Sequence, residues 1–80
     1  MHVEVRLFAS LTRYLPPGAQ GTTATIEVPE GTTVDELIRR LAIPDELPRL
    51  TLVNGQDSRP GDRLGPGDVV SVLPPLEGGR

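Results

Sequence analysis

The chain has 80 residues, a formal net charge of −3, and a composition that is 36% hydrophobic but only 2% aromatic. That length makes one domain with an aliphatic core, near the lower size at which a core holds without staples. There is no cysteine and no lysine, all eight basic residues are arginine, and the one histidine is His2. These totals exclude a disulfide, a thiolate metal site, a cysteine nucleophile and a Schiff-base lysine; they leave no histidine cluster for a metal, and a single histidine at the N-terminus argues against a Ser-His-Asp triad. The acidic balance argues against nucleic acid, which selects a basic footprint. No apolar run approaches a membrane span, and no charged-then-apolar leader opens the chain. The expectation is a soluble, cytoplasmic domain with no metal, no bound cofactor and no catalysis of its own.

In chain order, Val3, Val5 and Leu7 alternate with Glu4 and Arg6, the period of a half-buried strand. Phe8 points away from the core unless the strand ends before it. Leu11 and Leu15, four apart, mark a short helix that Ser10 caps and Pro16-Pro17-Gly18 stops. Thr25 to Val28 reads as a second strand, with a turn at Pro29-Glu30-Gly31. Thr33 and Glu36 then form a capping box, which satisfies two otherwise free backbone donors. Val34, Leu37, Ile38 and Leu41 make one apolar stripe, with Asp35 and Glu36 in the first turn and Arg39 and Arg40 near the last, matching the helix dipole. Pro44 is expected to end this main helix, with Ile43 tucked under the sheet.

Leu50 to Val53 is a third strand closed by Asn54-Gly55, the pair that best tolerates positive φ in a tight hairpin. A short strand around 56–59 returns before Pro60. Asp62 and Asp68 are expected to complete turns rather than to bind metal. Val69 to Leu73 is the final strand. The first and last strands are the most uniformly apolar, so they are placed side by side at the centre, and no hairpin can join them, which suits parallel pairing. The whole is an α+β arrangement, divided into a domain at 1–73 and an extended tail at 74–80.

That tail is Pro74-Pro75-Leu76-Glu77-Gly78-Gly79-Arg80. Two prolines lack backbone donors and hold φ near −65°, so they launch a stiff spacer. Gly78 and Gly79 are sterically minimal. From Pro74 to Gly79 the thread reaches roughly 20 Å at full extension, thin enough to enter a channel that a Cβ would obstruct. Glycine-rich termini without any function are also common.

With these parts assembled, the chain resembles the β-grasp, ubiquitin-like sulfur carriers related to the small subunit of molybdopterin synthase and to the thiazole-synthesis carrier. The residues that carry the resemblance are Val5-Arg6-Leu7-Phe8-Ala9 with Leu11, then Gly31-Thr32-Thr33-Val34, Val53-Asn54-Gly55, Gly67-Asp68-Val69-Val70 and Pro74-Pro75-Leu76-Glu77-Gly78-Gly79. It implies a mixed four- to five-stranded sheet covered by one main helix. It also implies that the chemistry happens at a terminal glycine carboxylate, here Gly79 preceded by Gly78, on the spacer Pro74, Pro75 and Leu76. A ubiquitin-activating-like adenylyltransferase would use ATP to adenylate that carboxylate, and a persulfide donor would convert it to a thiocarboxylate. The large subunit of molybdopterin synthase is a further implied partner.

Active family carriers end on Gly-Gly, whereas this sequence continues to Arg80. Three readings stay open: a protease removes Arg80, the protein has left the carrier role, or the arginine is foreign to the natural chain. Phe8, Val53, Leu73 and Leu76 are candidates for an exposed apolar docking patch, or they lie under loops. The competing functions are a protein modifier conjugated through Gly79 and a plain interaction domain of the same fold.

Overall fold

The computed structural model describes residues 1–75, in which an aliphatic core lies between a five-stranded sheet and one α-helix. The strands are β1 (His2–Leu7), β2 (Thr23–Glu27), β3 (Leu50–Val53), β4 (Gln56–Asp57) and β5 (Val69–Leu73), and the helix α1 spans Val34–Arg40. Their order across the sheet is β2-β1-β5-β3-β4. The expected central pair is present: β1 and β5 run parallel, with Val5 beside Val70 and Leu7 beside Val72. Both neighbours of this pair are antiparallel, β2 on β1 and β3 on β5. This is the mixed β-grasp sheet, with the first and last of the described strands adjacent at its centre.

The period-2 pattern of β1 sorts as expected, with Val3, Val5 and Leu7 buried and His2 and Arg6 exposed. Val70 and Val72 of β5 join them on the covered face, along with Val34, Leu37, Ile38, Leu41 and Ile43 from α1 and its exit. No aromatic side chain is among the fully buried apolar residues; Phe8 is only half-buried. Such a core depends on close packing of branched aliphatics, so lost methylenes are felt directly.

The N-terminus of α1 is satisfied donor by donor. Thr33 and Glu36 form the capping box, with the Glu36 N–H donating to Thr33 Oγ1 at 3.2 Å and the Thr33 N–H to Glu36 Oε1 at 2.9 Å. The remaining first-turn donors use a distant loop: the Val34 N–H reaches the Asp62 carbonyl and the Asp35 N–H the Pro60 carbonyl, each at 2.9 Å. A helix leaves its first N–H groups without intrahelical partners, and here the 60–62 turn supplies what the capping box does not. The same loop carries Leu64 into the core.

Two local expectations are corrected. The stop of α1 is not Pro44. Ala42 adopts φ 63°, its N–H bonds the Arg39 carbonyl, and the Ile43 N–H bonds the Ile38 carbonyl. That pattern is a Schellman stop, already complete before Pro44. The first helix is a 3₁₀ helix over Ala9–Tyr14 with Phe8 in the N-cap position and no side-chain cap, so Ser10 does not cap it. Ala9 at φ 54° turns the chain sharply out of β1, and the tighter helix still buries Leu11 against the sheet.

At the opposite end of the sheet the hairpin turn is the expected one, with Asn54 at φ 53° and Gly55 at φ 82°, the left-handed pair that a two-residue hairpin turn requires. Asp62 and Asp68 complete turns as read from the sequence, accepting the N–H groups of Arg59 and Gly65 respectively.

Candidate functional site: the open sheet face at the root of the tail

Residues directly opposite across a sheet share a face, so the ladders decide which side chains accompany the tail. In the β3–β5 ladder, Leu50 stands opposite Leu73 and Leu52 opposite Ser71, while Thr51 and Val53 stand opposite the buried Val72 and Val70. Leu50, Leu52, Ser71 and Leu73 therefore occupy the open face, away from α1. Phe8 joins them. Its backbone is still extended at φ −122°, ψ 153°, and its N–H donates to the Val72 carbonyl at 3.2 Å. This continues the β1–β5 ladder one step past Leu7 and Val72, setting Phe8 beside Leu73.

A row Phe8–Leu73–Leu50 thus crosses three strands at the edge of the sheet where the chain leaves through Pro74 and Pro75. Phe8 and Leu73 are half-buried, and Leu50 is 44% exposed, a large apolar side chain open to solvent. The neighbouring part of the face is polar: Arg6 Nε donates to Glu4 Oε2 at 2.6 Å, and Thr23 and Thr25 follow on β2. The open face is divided into an apolar half beside the Pro74-Pro75 exit and a polar half toward β1 and β2.

The candidate patch is brought together only in part. Phe8 and Leu73 are neighbours. Val53 is not with them: it faces the opposite side, half-buried and packed against the core. Leu76 lies outside the described residues, as do Gly78, Gly79 and Arg80. Sequence reasoning missed Leu50 and Leu52. The stretch Leu50-Thr51-Leu52-Val53 has one polar residue in four, and Thr51 is on the covered side, so hydropathy alone misassigns its faces. Ser71 was the usable signal, because a lone polar residue in β5 marks the parity of the open face.

No group of three metal-ligating side chains occurs among the described residues. The concavity between α1 and residues 45–51 is lined by Val34, Asp35, Ile38, Leu47 and Thr51. Arg49 beside it is committed to the loop, donating to the carbonyls of Pro44, Asp45 and Leu47.

A parallel β1–β5 centre, a helix packed across one face and an open apolar row beside the exit of the last strand define a ubiquitin-like β-grasp protein. The sequence matches the ThiS family over residues 5–79, and the chain belongs to that family of small ubiquitin-like sulfur carriers. Among solved structures it is similar to a Pyrococcus furiosus protein described as molybdopterin converting factor, subunit 1, at 27% identity and a TM-score of 0.75, covering 94% of this chain and 98% of that one. It is similar to a chain of the Helicobacter pylori complex of subunits 1 and 2 of molybdopterin-converting factor, at 26% identity and a TM-score of 0.63, covering 99% of this chain and 100% of that one. Its fold is also that of SAMP1 from Haloferax volcanii, at 24% identity and a TM-score of 0.76, over 99% and 100%. No curated protein sequence matches significantly.

Proposed function

We propose that this protein is a cytoplasmic sulfur carrier that donates sulfur to molybdopterin or a related cofactor from a thiocarboxylate at Gly79. The observation that carries the reading is the apolar row Phe8–Leu73–Leu50 at the root of the Pro74-Pro75 spacer, in a chain of the ThiS family. A partner seated on that row holds the domain beside the spacer and receives Gly78-Gly79 in its own active site. The chain itself is a co-substrate, not a catalyst, and holds no cofactor.

The chemistry belongs to the partners. The Gly79 carboxylate attacks the α-phosphorus of ATP on an adenylyltransferase, expelling pyrophosphate. A carboxylate is a poor electrophile, and the acyl-adenylate supplies the missing leaving group. The terminal sulfur of a persulfide displaces AMP to give an acyl disulfide, which a thiol reduces to the thiocarboxylate. For Gly79 to present a carboxylate, the Gly79–Arg80 peptide bond must first be hydrolysed, so a protease belongs to the reading. The Helicobacter pylori structure is a complex of subunits 1 and 2, which supports a large synthase subunit as the later partner.

The test compares the chain ending at Gly79 with the chain ending at Arg80, each incubated with ATP, a persulfide donor and a candidate activating enzyme. The reading expects an oxygen-to-sulfur mass gain for the first form only. Equal activation of both forms removes the protease step, and no activation of the shorter form by any candidate enzyme removes the carrier. The fold likeness to SAMP1, a small archaeal modifier protein, supports a second reading, in which Gly79 is joined to a lysine amine of another protein. Isopeptide products in place of a thiocarboxylate select that one.

A further inference from the structure

The carrier reading makes no use of the exposed side chain of Asn54, which both donates and accepts a hydrogen bond across the 54–69 junction. It sits at the first position of the Asn54-Gly55 turn and is held from three directions by the start of β5. Its N–H donates to the Val69 carbonyl at 2.8 Å, and its Oδ1 accepts the Val69 N–H at 2.9 Å. Its Nδ2 donates to Asp68 Oδ1 at 3.0 Å, and the other oxygen of Asp68 accepts the Gly65 N–H at 2.7 Å. One carboxamide therefore ties the β3–β4 hairpin to the 65–68 turn. The carbonyl of Asp68 in turn receives the Glu4 N–H at 2.9 Å, so the clamp lies where the central β1–β5 pair begins.

Asn followed by Gly is the peptide pair most open to attack of the following backbone nitrogen on the side-chain amide, because glycine has no Cβ to shield that nitrogen. Asn54 is exposed and Gly55 has open space around it. We propose that Asn54–Gly55 is a spontaneous deamidation site, restrained by the Asn54–Asp68–Val69 clamp, whose conversion unlocks the start of the strand that carries the tail. In the reaction the Gly55 nitrogen bonds to Asn54 Cγ, the Cγ–Nδ2 bond breaks, and ammonia leaves with the proton given up by Gly55. Water then adds across an imide C–N bond of the succinimide and yields an aspartyl or isoaspartyl residue.

The consequence follows from the hydrogen-bond roles. A carboxylate at position 54 still accepts the Val69 N–H but has no hydrogen to donate to Asp68. Two carboxylates then face one another at the distance of the former hydrogen bond, and like charges at such range repel. Asp68 is pushed away from its place in the 65–68 turn, and the Gly65 N–H loses its acceptor. An isoaspartyl product also lengthens the backbone of a two-residue turn whose geometry sets the Val53–Gln56 pairing.

The experiment ages the full chain in mildly alkaline buffer, folded and in unfolding urea, and follows residue 54 by peptide mapping. The clamp must open before the side chain can react, so the folded chain is expected to convert at least about tenfold more slowly, and Asp68→Ala to speed conversion in the folded state. Asn54→Asp, which makes the aspartyl product directly and does not depend on the ageing, is expected to lower the denaturation midpoint and to raise hydrogen exchange at the Gly65 amide. Equal rates in folded and unfolded chains overturn the restraint. Wild-type stability and Gly65 protection in Asn54→Asp overturn the unlocking.

Discussion

Leu73 stands directly opposite Leu50 across the antiparallel β3–β5 ladder, on the sheet face that α1 leaves uncovered. Leu73 is the last residue of the central strand, and Leu50 is 44% exposed. The pair puts apolar surface where the chain departs for its glycines. Scattered exposed apolar side chains need no explanation, but an apolar row continued by Phe8 beside the Pro74-Pro75 exit is the surface on which the proposed docking rests.

Leu50→Asp is therefore expected to weaken binding to an activating enzyme by about tenfold or more, since truncating a buried interface anchor costs over 1 kcal/mol. Its own stability should change by no more than about 0.5 kcal/mol, as for exposed sites generally. Val53→Ala should do the reverse, lowering stability by roughly 1 kcal/mol or more while leaving binding intact, because Val53 packs against the core. Titration calorimetry and urea denaturation on the two variants read both quantities. Equal loss of binding in both would show that the face assignment is wrong.

Leu37 is fully buried at the centre of the α1 stripe. Leu37→Ala should cost about 2–5 kcal/mol, the transfer term plus a cavity among aliphatics that collapse only partly. A measured loss below about 1 kcal/mol by chemical denaturation would contradict the packing described.

Ala42 holds the left-handed position of the helix stop at φ 63°. An L-residue there carries a Cβ clash that glycine lacks, so Ala42→Gly should stabilise the domain by about 1 kcal/mol despite glycine's greater freedom when unfolded. Thermal unfolding of the variant should show a raised Tm; a lowered Tm would mean that the stop is not strained.

In a chain ending at Gly79, replacing Gly78 or Gly79 with valine should greatly reduce activation in the proposed role while leaving the denaturation midpoint unchanged, because the buried core is drawn from Val3 to Val72. Adenylate and thiocarboxylate measured by mass, beside a denaturation curve, separate the two effects. The isolated chain should show no ATP hydrolysis, and turnover lost on mutating one of its own residues would overturn the proposed role as co-substrate.

The sequence by itself determined every element whose signal is local. The Thr33–Glu36 box and the stripe Val34, Leu37, Ile38 and Leu41 mark α1, and Asn54-Gly55 marks the hairpin. The alternation of Val3, Val5 and Leu7 marks β1. These signals rest on contacts within a few residues, which propensity and periodicity encode. Even so, the stop at Ala42 was hidden, because alanine in a left-handed position leaves no compositional trace, and Ala9 hid the 3₁₀ turn in the same way.

Tertiary structure alone decided the site. In Leu50-Thr51-Leu52-Val53 the one polar residue, Thr51, lies on the covered side, so the local pattern points to the wrong face. The register of this stretch against β5 sends Leu50 and Leu52 outward and Val53 toward the core. The partners that complete the first turn of α1, the Pro60 and Asp62 carbonyls, are more than twenty residues away from it in the chain. Pairing between distant strands is set by whichever register buries the most apolar surface and satisfies the most backbone donors together. That balance is a property of the whole sheet, so no single stretch of sequence carries it.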